Sequence, residues 1–447
     1  RVYPGRAGNF ESWEEHMNSN VFSGLSLVLL AAVFMLQGDP VNIAQAQEDS
    51  CVGCHTEETP GVVSDWKNSA HAANQIGCDA CHGSEHTSAK DVEEAKLATH
   101  EVCAQCHSKQ VEQYKSGKHS LAWEAVNVMP TTHFQPMALL QGQEGCTGCH
   151  SIGIKSEEEI KAIRETGYRY EVSACDSCHT RHLFSKREAS SPQACRTCHM
   201  GFDHPQWEMY SSSKHGVRYH LKETGALPED AVAPTCQTCH MPDGDHANIT
   251  AWGFLAVRLP LPEDEQWARD RTVVLKGLGV LSPSGEPTER LEALKAVNVA
   301  RLDQESWQTL RNEMIAICSD CHAETFARKE LEKGDMMIRE ADRLMAQGIT
   351  TVADLYDKGI LKKPENYAFD YPDLLTFHDA PTAIEQHLWV MFLENRMRTF
   401  QGAFHQNPDY TMWYGWSGML RELAFIQSEA EDLLWKAEQE KGKAQQE

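Results

Sequence analysis

Apolar residues recur at helical intervals towards the end of the chain. Ile384, Leu388 and Phe392 stand at every fourth position, and a second stripe continues beyond Gly415. Such spacing places side chains on one face of an α-helix. Both stripes therefore predict long helices that pack against the rest of the protein. The second stripe consists of Leu420, Leu423, Ala430 and Leu434.

The region from Glu48 to His246 has a different character, because polar connectors separate repeated cysteine motifs. This arrangement predicts short helices that carry the motifs. Residues 251–317 contain no cysteine and no histidine. They predict a conventional helical segment that covers or spaces the region before it.

An apolar run from Val21 to Leu36 precedes the triplet Ala44-Gln45-Ala46. A small-x-small triplet after a short apolar run is typical of a secretory signal peptide. An uncleaved membrane anchor is the alternative, although the run is short for a full span. Both interpretations predict that the chain after this run is exported to the periplasm.

Cysteine usage adds a cofactor to this picture, because all sixteen cysteines fall in eight Cys-x-x-Cys-His motifs. In each motif two thiols lie one helical turn apart, where they can add to the two vinyl groups of a haem. The adjacent imidazole can then ligate the iron. The motifs are Cys51/Cys54/His55, Cys78/Cys81/His82, Cys103/Cys106/His107, Cys146/Cys149/His150, Cys175/Cys178/His179, Cys195/Cys198/His199, Cys236/Cys239/His240 and Cys318/Cys321/His322.

Zinc sites and disulfide frameworks also use paired cysteines. Zinc does not need a histidine directly after every second cysteine, and a disulfide framework needs no histidine there. Because no cysteine is left over, the sequence predicts eight covalently bound haem c groups.

Eight haems in 447 residues, of which only 41% are hydrophobic, change the expected core. The porphyrins must supply much of the apolar interior, so we predict a mainly α multihaem cytochrome c with a haem-packed core and long C-terminal helices. Residues 1–46 are expected to form an N-terminal extension with the signal peptide. Residues 47–250 are expected to form a haem-rich domain with seven motifs, and residues 251–447 a helical domain with the eighth.

The formal net charge of −24 argues against a nucleic-acid partner and favours one that is cationic, or small and uncharged.

Histidines outside the motifs are candidates for the sixth ligand of each iron. His71, His119 and His215 share a context in which a serine, Ser69, Ser116 or Ser213, stands two or three residues before the histidine. Further predicted ligands are His133, His204, His378 and His387. For His86, His100 and His220 the sequence does not distinguish an iron ligand from a surface histidine. By contrast, Met391, Met397 and Met419 are predicted to pack and not to bind iron.

The motifs and their flanks resemble the octahaem hydroxylamine oxidoreductase family, whose haem core is shared with the pentahaem nitrite reductases. The resemblance covers nearly all of the chain after the apolar run. It is carried by CHTRH from Cys178 to His182, CHMGFDHPQWEMYSSSKHG from Cys198 to Gly216, CQTCHMPDGDH from Cys236 to His246 and FHQNPDYTMWYGW from Phe404 to Trp416.

This resemblance implies two axial histidines on seven haems and an open, catalytic haem at the fourth motif, with His150 as its proximal ligand. It also implies an Asp-His pair beside the substrate, for which Asp245 and His246 are the candidates. Arg181 and His182, directly after the fifth motif, are further candidates for the pocket.

Multi-electron chemistry on a small nitrogen compound requires an open iron, a proton donor or acceptor beside it, and redox centres nearby. The predicted activity is oxidation of hydroxylamine or hydrazine, with a cytochrome or a quinone-linked protein as redox partner. One alternative is ammonia-forming reduction of nitrite or hydroxylamine at the same site. Another is an octahaem electron carrier whose irons all have six ligands.

In the oxidative members of the resembled family, a late tyrosine from a neighbouring subunit of a trimer is bonded to the catalytic porphyrin. We therefore expect a homotrimer, and we favour Tyr410 over Tyr414 for the crosslink. The alternative is that both tyrosines and Trp413 are aromatic packing. Pro408 and Asp409 suit the start of a helix in this region.

Overall fold

The computed structural model describes residues 48–127, 147–166, 173–248, 250, 259–296, 303–365 and 367–444. The predicted signal peptide, His133 and Cys146 lie outside the described residues, and so does the side chain of His378. Residues Gln47–Glu447 form one compact unit.

Short helices carry the cysteine motifs in the first half of this unit, as the sequence predicts. They alternate with turns, and short 3₁₀ segments occur at Val92–Glu94, His119–Leu121, Cys175–Ser177 and Pro242–Gly244. The helices are α1 (Glu48–Glu58), α2 (Pro60–Lys67), α3 (Ala70–Ala73), α4 (Asp79–His82), α5 (His100–Ser116), α6 (Ala122–Asn127), α7 (Thr147–His150), α8 (Glu157–Thr166), α9 (Lys186–Ala189), α10 (Gln193–Arg196), α11 (Gln206–Ser212), α12 (Lys214–Glu223) and α13 (Cys236–His240).

Longer helices form the second half, which confirms the predicted fold class. An isolated bridge between Leu281 and Pro287 is the only β pairing among the described residues. The helices are α14 (Glu265–Gly277), α15 (Glu289–Ala296), α16 (Gln304–Ser319), α17 (Glu324–Asp357), α18 (Ala383–Val390), α19 (Met397–Phe404) and α20 (Ser417–Ala444). A 3₁₀ segment spans Leu374–Asp379, and π-helical segments span Met391–Arg396 and Tyr410–Trp416.

The C-terminal helices have a conventional apolar core around α17, which packs against α14, α19 and α20. Ile384, Leu388 and Phe392 are buried in it, as their spacing predicts. The methionines at positions 391, 397 and 419 are fully buried and pack there as well. Leu420 departs from the second predicted stripe, because its side chain is exposed.

An ion-pair triad is buried between α14, α17 and the first π segment. The Asp342 carboxylate accepts hydrogen bonds from Arg271 Nε at 2.7 Å, from Arg396 Nη2 at 2.7 Å and from Trp267 Nε1 at 2.8 Å. Both ion pairs are almost completely shielded from solvent. The single carboxylate therefore compensates two buried guanidinium groups.

Replacing Asp342 with Asn is expected to lower the free energy of unfolding by about 3–5 kcal/mol, because breaking one partner of a buried pair leaves uncompensated charge. Denaturant unfolding of the haem-loaded protein measures this. Glu324→Gln is the matched control, since it removes an exposed pair with Arg328 at 2.6 Å, worth under about 1 kcal/mol. Equal midpoints for the two variants would contradict this account of the triad.

The predicted domain boundary near residue 250 is crossed by side-chain contacts. Asn407 Nδ2 donates to the Met209 carbonyl oxygen at 2.8 Å and to Ser212 Oγ at 2.7 Å. The start of the second π segment is therefore anchored on α11. Within the described part of the chain, no helix combines the length and apolar character needed to cross a membrane.

Candidate functional site

The haem-rich region contains few buried aliphatic side chains around one large cavity. Its volume is about 3050 Å³, whereas a pocket for one small ligand measures about 300–1,000 Å³. Most of the described motif cysteines and histidines line this space. The residues that carry a buried hydrophobic side chain in the described part of 50–248 are Val63, Val111, Tyr114, Ala174, Met209 and Tyr210.

Within the described part of the chain, the cysteine motifs close single helical turns. In the second motif, the backbone N–H of His82 donates to the Cys78 carbonyl oxygen at 2.9 Å, and the same bond recurs in later motifs. This turn puts both sulfur atoms on one side with the imidazole beside them. The other examples are His179 to Cys175, His199 to Cys195 and His322 to Cys318.

A second histidine faces every motif histidine. The distances between ring centres are 6.1 Å for His55–His86, 6.1 Å for His82–His182, 6.2 Å for His107–His71, 5.9 Å for His150–His204, 6.3 Å for His179–His246, 6.0 Å for His199–His119, 6.3 Å for His240–His405 and 6.1 Å for His322–His215.

This spacing fits an iron between the two rings. A metal–imidazole bond is about 2 Å long and the ring adds about 1 Å on each side, which gives about 6 Å between ring centres. No group of three or more His, Cys, Asp or Glu side chains among the described residues could hold a metal ion by itself. Pairs of axial histidines beside two thiols are the donor set that haem c requires.

Burial keeps several of these imidazoles neutral, which is the form that binds a metal. Burial lowers the pKa of His150 to about 4, with a smaller contribution from His204. It lowers the pKa of His240 to about 4 and that of His199 to about 3.

Hydrogen bonds at Nδ1 orient several of the rings. Backbone carbonyl oxygens lie 2.9 Å from His82 Nδ1, 2.8 Å from His246 Nδ1 and 2.7 Å from His405 Nδ1. A proton on Nδ1 leaves the lone pair on Nε2, which is the atom available to an iron.

The serine context predicted for the opposing histidines has a structural cause in two cases. Ser69 Oγ accepts from the Ala72 backbone N–H at 3.2 Å, and Ser213 Oγ accepts from the Gly216 backbone N–H at 3.3 Å. Each serine caps a helix whose first turn carries the histidine, His71 or His215. Burial, followed by the charge of the facing motif histidine, lowers the pKa of both rings and supports their neutral form.

The structure changes the placement of two predicted pocket residues. His246 and His182 were expected over His150, but they face His179 and His82 instead. Asp245 and Arg181, which were expected in the same pocket, make contacts within their own loops. Asp245 Oδ1 accepts from the Ala247 backbone N–H at 2.9 Å, and Arg181 Nε lies 3.6 Å from Asp176 Oδ2.

His204 is the residue that faces His150, at 5.9 Å between ring centres. Its Nδ1 lies 3.0 Å from Asp203 Oδ2. Burial raises the pKa of Asp203, but the hydrogen bond and charge of His204 lower it by more. The pKa of Asp203 therefore lies below its ordinary value. An Asp-His pair therefore stands at the fourth motif, formed by different residues from those expected.

Two other positions differ from expectation. His387 stacks on Phe425 and its Nδ1 lies 2.8 Å from Glu422 Oε2, so the contacts of this ring are with α20 and not with a motif histidine. His405 was missed as a ligand candidate, although it stands in the FHQNPDY segment.

Neighbouring motifs adjoin through their sulfur atoms. Burial and then Cys51 raise the pKa of Cys78, and burial and then Cys103 raise the pKa of Cys81. Further along this row, side-chain hydrogen bonds join Cys103 with Cys175 and Cys195 with Cys236. Burial and then Cys195 raise the pKa of Cys178, and burial and then Cys318 raise the pKa of Cys239. The fourth motif joins the row at the sixth, because His204 also lies 6.4 Å from His199.

Cys54 and Cys321 differ from the other described motif cysteines, because they do not line the cavity. Both side chains are exposed and neither lines the cavity, whereas Cys51 and Cys318, their partners in the same motifs, do line it. The first and eighth motifs stand at the two ends of the row. Each of them therefore has a neighbouring motif on one side only. Haem attachment through Cys54 and Cys321 stays a prediction.

The late tyrosines stand in the π segment that Asn407 anchors on α11. Asn407 Oδ1 accepts from the Tyr410 backbone N–H at 3.1 Å, which confirms that a helix begins at Pro408. The rings of Tyr410 and Tyr414 lie 5.0 Å apart. Trp413 and Tyr414 are exposed, at 73% and 58%.

Comparisons with known proteins agree with this architecture. The family model described as "seven times multi-haem cytochrome CxxCH" matches residues 74–258 and 292–366. A model described as "cytochrome c554 and c-prime" matches residues 7–83.

Among curated relatives, a probable nitrite reductase-hydroxylamine oxidoreductase fusion protein of Kuenenia stuttgartiensis is 26% identical over 485 residues. The match covers 88% of this chain and 52% of that protein. The multihaem cytochrome MtrA of Shewanella baltica is 26% identical over 209 residues, which cover 46% of this chain and 49% of that protein. The chain thus spans about half the length of these relatives.

Two solved structures share the fold. A chain of the Kuenenia stuttgartiensis reducing HAO-like protein complex has a TM-score of 0.65 at 24% identity, over 89% of this chain and 87% of that chain. A hypothetical multihaem protein has a TM-score of 0.63 at 21% identity, over 88% and 96%.

Proposed function

The chain belongs to the multihaem cytochrome CxxCH family, and we propose from this premise that it is an exported octahaem oxidoreductase of small nitrogen compounds. Its proposed substrates are hydroxylamine or hydrazine, which it would oxidise at the haem of the fourth motif. The observation that carries this proposal is the Asp203–His204 pair, which stands opposite His150.

Haem iron in such a site binds nitrogen and exchanges electrons one at a time. The chain supplies the proton chemistry. Asp203 accepts a hydrogen bond from Nδ1 of His204 and so fixes the ring orientation. In an enzyme His204 would have to stay unbound to the iron, so that its Nε2 could take or give a proton in front of His150. The row of adjoining motifs provides the remaining redox centres.

The same pair would also serve reductive chemistry, the ammonia-forming reduction of nitrite or hydroxylamine. The fusion relative carries both activities in its name. Steady-state assays of the holoprotein with hydroxylamine, hydrazine and nitrite distinguish the directions. Oxidative turnover of hydroxylamine or hydrazine supports the proposal, and activity with nitrite alone would reverse the assigned direction.

A second candidate function is an electron carrier with eight six-coordinate irons. The distance of 5.9 Å between His150 and His204 favours it, because the other pairs have nearly the same spacing. The electron paramagnetic resonance spectrum separates the two candidates. A high-spin ferric signal from about one haem in eight supports an open site, whereas a wholly low-spin spectrum without turnover supports the carrier.

A tyrosine crosslink would support the oxidative direction. Tyr410 or Tyr414 is expected on the haem peptide that contains Cys146 and Cys149, contributed by a neighbouring copy in a homotrimer. The exposed Trp413 and Tyr414 are compatible with a subunit contact. Peptide mapping of the denatured holoprotein measures this, and recovery of the haem peptide alone from active enzyme would indicate the reductive branch.

A further inference from the structure

A carboxylate lies behind the imidazole that faces the first motif. His86 stands opposite His55, and its Nδ1 lies 2.9 Å from Asp91 Oδ1. With Nδ1 bonded in this way, Nε2 is the nitrogen left for an iron between the two rings. The histidine on this side of the first haem would therefore be hydrogen-bonded to an anion.

The Asp91 carboxylate is held in place by its own loop. Its Oδ1 accepts from the backbone N–H of Thr87 at 3.1 Å and of Ser88 at 2.8 Å, and its Oδ2 accepts from Thr87 Oγ1 at 2.9 Å. The carboxylate cannot turn away from His86 without breaking these bonds. The contact with Nδ1 is therefore part of a fixed local structure.

His86 Nδ1 lies 3.2 Å from the Asp91 backbone carbonyl oxygen as well, but its shorter contact is with the carboxylate. Carbonyl oxygens serve His82, His246 and His405. Within the described pairs, the other ring with a carboxylate at Nδ1 is His204. An anionic acceptor draws the Nδ1 proton more strongly, which makes the imidazole a better electron donor and stabilises the oxidised iron.

We propose that Asp91 is a positioning residue that acts through His86 to lower the reduction potential of the first haem. That haem stands at one end of the row of motifs, where Cys51 adjoins Cys78. An electron on a low-potential terminal haem leaves it readily for an acceptor. The inference rests on the proposed ligation of the first iron by His55 and His86, and it does not depend on the substrate.

The test is the substitution Asp91→Asn, which keeps the size of the side chain and an oxygen that can accept from the loop. Glu94→Gln is the matched control, because it removes one exposed negative charge three residues further on. Both variants are made as full-length, haem-loaded protein. Potentiometric titration is followed by absorbance and by electron paramagnetic resonance.

Asp91→Asn is expected to favour the reduced form of one haem about tenfold, which corresponds to a rise of about 59 mV for a one-electron couple. The low-spin signal of one haem should shift while seven haems and the haem count stay unchanged. Glu94→Gln should leave all potentials in place.

Three outcomes would overturn the inference. Unchanged potentials in Asp91→Asn would remove the effect, and equal shifts in both variants would make it one of general surface charge. A new high-spin haem would show that Asp91 is needed to keep the ligand on the iron. Turnover with nitrogen compounds is measured in the same samples, so its absence in the wild-type protein would reject the proposed activity and leave this result intact.

Discussion

Replacing His204 with Ala is expected to lower turnover about 10²- to 10⁴-fold, the usual effect of removing a general acid or base. Turnover is measured with whichever of hydroxylamine, hydrazine or nitrite the wild-type protein uses. The reason is that His204 is the titratable ring opposite His150, with Asp203 fixing its orientation. Asp203→Asn should give a smaller loss of about 10- to 100-fold, because the ring remains but its hydrogen-bond partner loses its charge.

His246→Ala is the informative control for this experiment. His246 faces His179, so its removal should convert one low-spin haem to high spin. His204→Ala should leave the number of low-spin haems as it is in the wild-type protein. If His204→Ala instead creates a new high-spin haem and abolishes no activity, His204 is an iron ligand and the electron-carrier function is the better explanation.

The fold class could be predicted from the sequence because it depends on local patterns. The helical period of Ile384, Leu388 and Phe392 determines which face is buried, and the structure buries all three. Leu420 fits the same period but is exposed. Periodicity predicts which face of a helix is apolar. How much of that face is buried depends on how far the neighbouring helices extend along it.

The haem motifs were equally visible, because two thiols and an imidazole must be close in sequence to bind one haem. The opposing histidines were harder to assign. His405 comes from a distant part of the chain and meets His240, although 165 positions separate them in the sequence (405 − 240). The packing of α19 against α11 brings these parts of the chain together.

The Asp-His pair at the proposed site could not be assigned from the sequence either. Asp203-His204 and Asp245-His246 are both an aspartate followed by a histidine after a motif. The sequence favoured the second pair, and the structure brings the first one to His150. The difference arises because the fourth motif joins the row beside the sixth, which is a tertiary contact that local spacing does not encode.

Loss of covalent haem is expected to abolish folding of the haem-rich region. The cavity of about 3050 Å³ is lined by motif residues, and few aliphatic side chains are buried around it. A haem-free chain would have to leave this volume open or fill it with water, so the folded arrangement would lose most of its apolar contacts. Haem attachment therefore stabilises the fold by supplying the core itself.

The C-terminal helices should respond differently, because they have an apolar core of their own around Leu344, Met345 and Ile349. The experiment compares protein produced with and without the haem-attachment machinery. With it, the intact mass should correspond to eight covalent haems. Without it, limited proteolysis should degrade residues 48–248 and leave a protected fragment within residues 259–444, while circular dichroism retains part of the helical signal. A haem-free chain that resists proteolysis throughout would contradict the view that porphyrins form the core of the first half.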